Sequence, residues 1–315
     1  MTAADTTTSS SGGAPGVAAP GEPAAPTVTV PDPVAELAAA VRAGQLGPDP
    51  TETRVSVGFV TRQGAHHPGR GTWYRNQAVS LRVGAAVGSC AVEPGEADDD
   101  VIADCAGRDI HSLLDHPTPA VRFAALDAYL LASRPHAAAV QAGQAEPVTV
   151  PAGDSLTKSL ARAQAVVGLL PVRAGQRVLV VGVVNSLLAQ LRRRGVGYLP
   201  CDRAGGETEW GEPVLADAAD GLARGCDALL VSGMTLGNGS FPPLLAYARR
   251  AGVPLVVFAQ TGSGVVPRLL RAGVTAASAE PYPFFWLHGE PTVLYHYRSP
   301  DRAAGRPPAD RGEAS

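Results

Sequence analysis

From Arg177 onward, short apolar runs alternate with amphipathic stretches, each run ending in small or polar residues. The runs Arg177–Gly182, Gly197–Cys201, Ala228–Ser232, Leu255–Ala259 and Thr275–Ser278 read as buried strands. Between them, Asn185–Arg194, Val214–Arg224, Phe241–Ala251 and Val265–Arg271 carry helical spacing, and an earlier helix, Leu156–Leu170, is capped by Asp154 or Ser155. Parallel strands need crossover connections, so this alternation predicts a parallel, doubly wound α/β sheet of Rossmann-like type. Thr292–Ser299 predicts a last edge strand or hairpin.

The preceding half has a different rhythm. Pro33–Ala43 is helical, with proline in the first turn and Gly44 to stop it. Arg54–Gln63, Gln77–Val83 and Gly84–Val92 alternate as strands, followed by helices at Asp109–His116 and Thr118–Arg134. The prediction is a smaller α+β unit over residues 33–145, a joint near Gln141–Pro151, and the Rossmann-like unit over residues 151–299. Residues 1–32 and 300–315, rich in Ala, Thr, Ser, Gly and Pro, are expected to be disordered tails because they bury too little to offset the entropy of ordering them.

Composition narrows the function classes. At 45% hydrophobic and 17% charged residues, the 315-residue chain reads as a soluble globular protein with one or two ordinary cores. A formal net charge of −3 offers no basic field for nucleic acid, and Arg192-Arg193-Arg194 reads as a solvated helix end. No apolar run reaches the ~18 residues of a membrane span, and the first 32 residues lack the charge and apolar core of a secretory signal, so the expected location is cytoplasmic. Cys90, Cys105, Cys201 and Cys226 form no C-x-x-C pair, and reduced, mostly buried thiols are expected. Lys158, the single lysine among 26 basic residues, invites a Schiff-base reading, but the bias toward arginine through the whole chain accounts for its rarity.

The candidate chemistry collects at the carboxyl ends of the strands, where open α/β sheets bind ligands. The turn after the first strand is Gly182-Val183-Val184-Asn185-Ser186-Leu187, without the second and third glycines of a dinucleotide fingerprint, which argues against NAD or FAD. Asp202, at the end of the next strand, is placed to accept from ribose hydroxyls, and Ser232–Ser240 forms a hydroxyl- and glycine-rich loop. The candidate ligand-binding residues are therefore Gly182, Asn185, Asp202, Gly233, Thr235, Asn238, Gly239 and Ser240. His66 and His67 read as loop residues, and His288 and His296 flank the last hairpin without forming a ligand set with the cysteines. Glu280, Tyr282 and Phe284-Phe285-Trp286 follow the last parallel strand, where aromatic rings either pack or line a pocket. No general base is legible.

The segments AGRDIHSLLDH, AVRFAALDAYLLA, VVGLLPV, RVLVVG, LPCDRAG and LVSGMTLGNGS resemble the heavy-metal chelation family over Thr53–Ser278. That resemblance implies an amino-terminal domain similar to the enolase amino-terminal domain, joined to a Rossmann-like domain. The chain departs from the family pattern at Met234, at Asp202 where glutamate is typical, and at Asp127 where asparagine is usual. Three functions follow as expectations: binding or turnover of an adenosyl ligand such as S-adenosylmethionine, by a transferase or lyase of specialised metabolism; transition-metal binding; or a non-catalytic biosynthetic role. A homo-oligomer is compatible with each.

Overall fold

The computed structural model describes residues 31–66, 73–97 and 99–300. The expected tails up to residue 30 and from residue 301, and His67, lie outside the described residues. The first unit opens with helix α1 (Pro33–Arg42), capped by Asp32, which accepts from the Val34 amide at 2.9 Å. An antiparallel meander follows: β1 (Val57–His66), β2 (Trp73–Val83) and β3 (Ala86–Ala91), paired in the order β1-β2-β3. Helices α2 (Asp99–Ala103), α3 (Ile110–Leu113), α4 (Pro119–Ser133) and α5 (His136–Gln141) complete the unit.

The second unit is a seven-stranded sheet. In chain order it comprises β4 (Glu146–Val150), α6 (Ser155–Val167), β5 (Arg177–Val181), α7 (Asn185–Arg193), β6 (Gly197–Cys201), α8 (Ala218–Ala223) and β7 (Ala228–Ser232). It continues through α9 (Met234–Gly237), α10 (Phe241–Ala251), β8 (Leu255–Ala259), a 3-10 helix (Val266–Ala272), β9 (Ala276–Ala279), a 3-10 turn (Phe285–Leu287) and β10 (Thr292–Arg298). The strands lie side by side as β4-β10-β9-β8-β7-β5-β6, the five from β5 to β9 parallel and β10 antiparallel to both of its neighbours, β9 and β4. The order reverses between β5 and β7, so the topological switch point lies where their carboxyl ends diverge.

Three sequence expectations change here. Glu146–Val150, expected to be part of a joint, is the edge strand β4, and β10 is not at the edge but between β9 and β4. The proline and glutamine content of residues 141–150 resembles a linker because an edge strand tolerates proline on its open side. The helix expected over Val265–Arg271 is a tighter 3-10 helix, Val266–Ala272.

Burial explains how the units are joined. Side chains alternate across the sheet: Val178, Val180, Leu230 and Val256 face α6 and α7, whereas Leu179, Val181, Leu229 and Val257 belong to a second cluster. That second cluster runs on without a break into Phe123, Leu126 and Tyr129 of α4 and Val79 and Leu81 of β2. The amino-terminal unit thus packs against the sheet through shared apolar surface. Asp127 fastens the junction: fully buried, it accepts from the amides of Ser89 in β3 at 2.9 Å, Gly264 at 2.7 Å and Gly262 at 3.3 Å. Burial pushes its carboxyl up to about 7, against the opposing pull of these amides.

Candidate functional site

The switch point is shaped by two glycines. Gly182 ends β5 at φ +89°, and a β-carbon there would lie 2.5 Å from that of Ser232. Gly233 sits so close to the Thr261 carbonyl and Ala259 that a β-carbon would collide with both. The ends of β5, β7 and β8 therefore approach more tightly than side chains at these two positions would allow.

The other candidate residues mostly shape this edge. One oxygen of Asp202 accepts from the Val183 amide at 3.0 Å and the other from the Ala204 amide at 3.1 Å, so its carboxylate braces the turn after β5. Asn185, buried at the start of α7, accepts from the Glu209 amide at 3.3 Å. Thr235 donates to the Ser232 carbonyl at 2.7 Å. Asn238, exposed, accepts from the Ser240 amide and hydroxyl at 3.1 and 2.6 Å, with Gly239 at φ +76° between them. This local turn starts α10.

Beside these residues lies a cavity of about 430 Å³, between the carboxyl edge of the sheet and the meander. Val184, Ser232, Gln260 and Thr261 contribute the strand-end wall, and Arg75, Asn76 and Gln77 of β2 face them from the other unit. Phe258, Phe284 and Trp286 supply aromatic surface, with Trp286 half-buried and its ring centroid 5.4 Å from that of Phe284. The aromatic run after β9 thus divides its work, with Phe285 buried and Trp286 at the cavity wall.

A buried polar network supports this wall. Arg162 of α6 donates to Glu280 at 2.5 Å, and both side chains are nearly inaccessible, at 7% and 2% exposure. The other oxygen of Glu280 accepts from the Gln260 side chain at 3.1 Å and the Phe285 amide at 2.8 Å. The guanidinium also stacks near Phe258 and Phe285, 5.7 and 5.5 Å from the ring centroids. Such a pair holds its geometry because both carboxylate oxygens have donors, three in all. Strand-end position alone pointed to Glu280 and would have pointed to Gln260, the residue after β8. Nothing local marks Arg162, whose partner lies 118 residues away.

Lys158 is 1% exposed and donates to the backbone carbonyls of His288, at 3.0 Å, and Glu290. Its amine secures the loop before β10. The four thiols are free and lie on separate elements, with burial pushing Cys90 up to about 12 and Cys201 up to about 11. Among the described residues, no three His, Cys, Asp or Glu side chains converge as a metal site. No helix among them is long and apolar enough to cross a membrane.

A doubly wound sheet with a second unit closing over its carboxyl edge defines an α/β protein with a ligand cleft. Residues 165–276 match the model of the family DUF364, described as "Putative heavy-metal chelation", so the resemblance expected from the sequence holds for this segment. A DUF364 protein of unknown function from Desulfitobacterium hafniense has a similar solved structure, with TM-score 0.51 and 17% identity over 79% of this chain and 86% of that one. That likeness shows the fold. Two weaker likenesses carry no argument: the pyridoxal-5'-phosphate dependent protein YhfS from Escherichia coli and a mandelate racemase/muconate lactonizing protein from Herpetosiphon aurantiacus. The first has TM-score 0.29 and 17% identity over 51% of this chain and 41% of that one; the second has TM-score 0.31 and 14% identity over 67% and 82%. No curated protein matches the chain.

Proposed function

We propose that the protein binds a small organic molecule in the cleft between the sheet edge and the meander, and that an adenosyl amino acid such as S-adenosylmethionine is a ligand of the right class. The observation that carries this reading is the cavity of about 430 Å³ at the switch point, large enough for such a molecule and lined by both ring surface and hydrogen-bonding side chains. A purine ring finds stacking surface on Trp286, and its polar edge finds the Gln260 amide and Ser232 hydroxyl. The guanidinium of Arg75 suits a carboxylate at the opposite wall. The missing glycines after Gly182 remain unfavourable to a dinucleotide.

Calorimetric titration with S-adenosylmethionine, S-adenosylhomocysteine, ATP and NAD tests this. Saturable binding of the first two alone, weakened by Trp286→Ala by about tenfold or more, is the expected result. Folded protein that binds none of them refutes the adenosyl reading.

Metal chelation is the second reading, favoured by the description of the family that residues 165–276 match. Elemental analysis of the purified protein after dialysis distinguishes it. A tightly held equivalent of zinc or copper, lost on Cys201→Ser or on His66→Ala, supports chelation over the organic ligand.

A further inference from the structure

A larger cavity, about 920 Å³, lies at the opposite edge of the sheet, where Thr275 enters β9 and Arg298 leaves β10. Its charge is one-sided. Arg134, Arg268, Arg271 and Arg298 line it against a single carboxylate, Glu146, giving a local formal charge of 4 − 1 = +3 in a chain whose net charge is −3. None of the four has an ion pair among the described residues, although Arg134 donates to the Gln144 side chain. Burial, and after it the charges of nearby Arg134 and Arg271, hold the Arg268 guanidinium below the ordinary arginine range. Like charges gathered around a cavity repel one another and destabilise the empty site.

Two buried histidines stand behind this lining. His136 and His296 also line this cavity and are buried, at 4% and 5% exposure, and the Nε2 atom of each lacks a hydrogen-bond partner. Each Nε2 has almost no accessible surface, so these rings back the wall, and the contacts to whatever occupies the cavity come from the arginines. The Tyr297 hydroxyl, 2.7 Å from His136 Nδ1, holds that ring in place. The remaining wall is apolar, with Leu37, Ala139, Ala248 and Val274.

We infer that this cavity is a second ligand site, for a small organic anion with two or more negatively charged oxygens, a phosphate ester or a polycarboxylate, and an apolar portion. Arginine suits both because its planar fork donates to two oxygens of either group at once. The four guanidiniums come from four places in the fold: the end of α4, two positions of the 3-10 helix and the end of β10. A ligand held by all of them links the amino-terminal unit to the sheet, independently of what occupies the cleft.

Titration calorimetry with pyrophosphate and with citrate, at constant ionic strength set by sodium chloride, tests the site on the full chain. The expected result is saturable binding of at least one of the two anions, and the tighter one assigns the phosphate or carboxylate class. The double variant Arg268→Gln/Arg271→Gln, and separately Arg298→Gln, should weaken it by about tenfold or more. Arg75→Gln, in the cleft, should leave it unchanged. Circular dichroism and the unliganded melting temperature confirm that the variants fold, and Arg298→Gln tests the site from a different element should the double variant not fold. Absence of saturable binding by either anion, or equal weakening by Arg75→Gln, overturns the inference.

Discussion

The carboxyl group of Asp127 makes the stability of the protein depend on pH in an unusual direction. Its folded value is about 7, against 3.8 for an unburied aspartate, so between those two values the folded state holds a proton that the unfolded state has released. Folding is then proton-linked in the sense that the stabilisation is fully present below 3.8 and is lost as the pH rises through about 7. Each pKa unit corresponds to about 1.4 kcal/mol, so the interval of roughly three units amounts to about 4 kcal/mol. Asp127→Asn preserves the shape and removes the titration. Its amide NH2 must face at least one of the three amides of Ser89, Gly262 and Gly264, and that lost hydrogen bond destabilises by about 1–3 kcal/mol. Urea unfolding of both proteins from about pH 5 to pH 8 isolates the effect, because other titrating groups cancel in the difference. The advantage of the wild type over Asp127→Asn should shrink by about 3 kcal/mol across that range and then level off. A difference that is flat, or that grows with pH, would show that the three amides outweigh burial and keep the carboxylate charged, and the reasoning would fail.

Arg162→Met leaves Glu280 buried without its cation, and the loss in unfolding free energy should be about 3–5 kcal/mol; adding Glu280→Gln should recover much of it, and a double variant no better than the single would refute the pairing argument. Gly182→Ala forces a side chain onto φ +89° and toward Ser232, so it should destabilise by about 1–3 kcal/mol and weaken cleft binding together, whereas a melting temperature equal to that of the wild type would count against the tight approach of β5 and β7.

The parallel core was the most legible part of the chain. Ala228–Val231 and Leu255–Ala259 are uninterrupted apolar runs, and strands buried on both faces have that appearance whatever their neighbours. β4 was hidden because its identity depends on pairing with β10, far away in sequence, and because Glu146-Pro147 breaks the short β-branched run Val148-Thr149-Val150 from anything before it. At the site, strand-end glycines were readable because positive φ and close approach restrict the residue type. Gly182 stands out as the end of an apolar run and Gly233 as part of a hydroxyl- and glycine-rich loop, and close approach is what requires glycine at both. Asp202 and Asn238 were equally visible, but sequence could not show that their oxygens are engaged by neighbouring backbone. The cavity wall draws on both units, and Arg75 or Gln77 carries no mark of its destination.

The placement of β10 bears on how the chain assembles during synthesis. Pairing of Val150 with Thr292 and of Glu146 with His296 joins residues nearly half the chain apart, and β9 also awaits the same strand. Until residue 298 is available, β4 and β9 have unpaired edges facing a gap one strand wide. Long-range closure of this kind slows folding, and open edges invite association with other strands. A nascent or truncated chain ending before Thr292 should therefore need protection from aggregation, even though its parallel core is already complete in sequence.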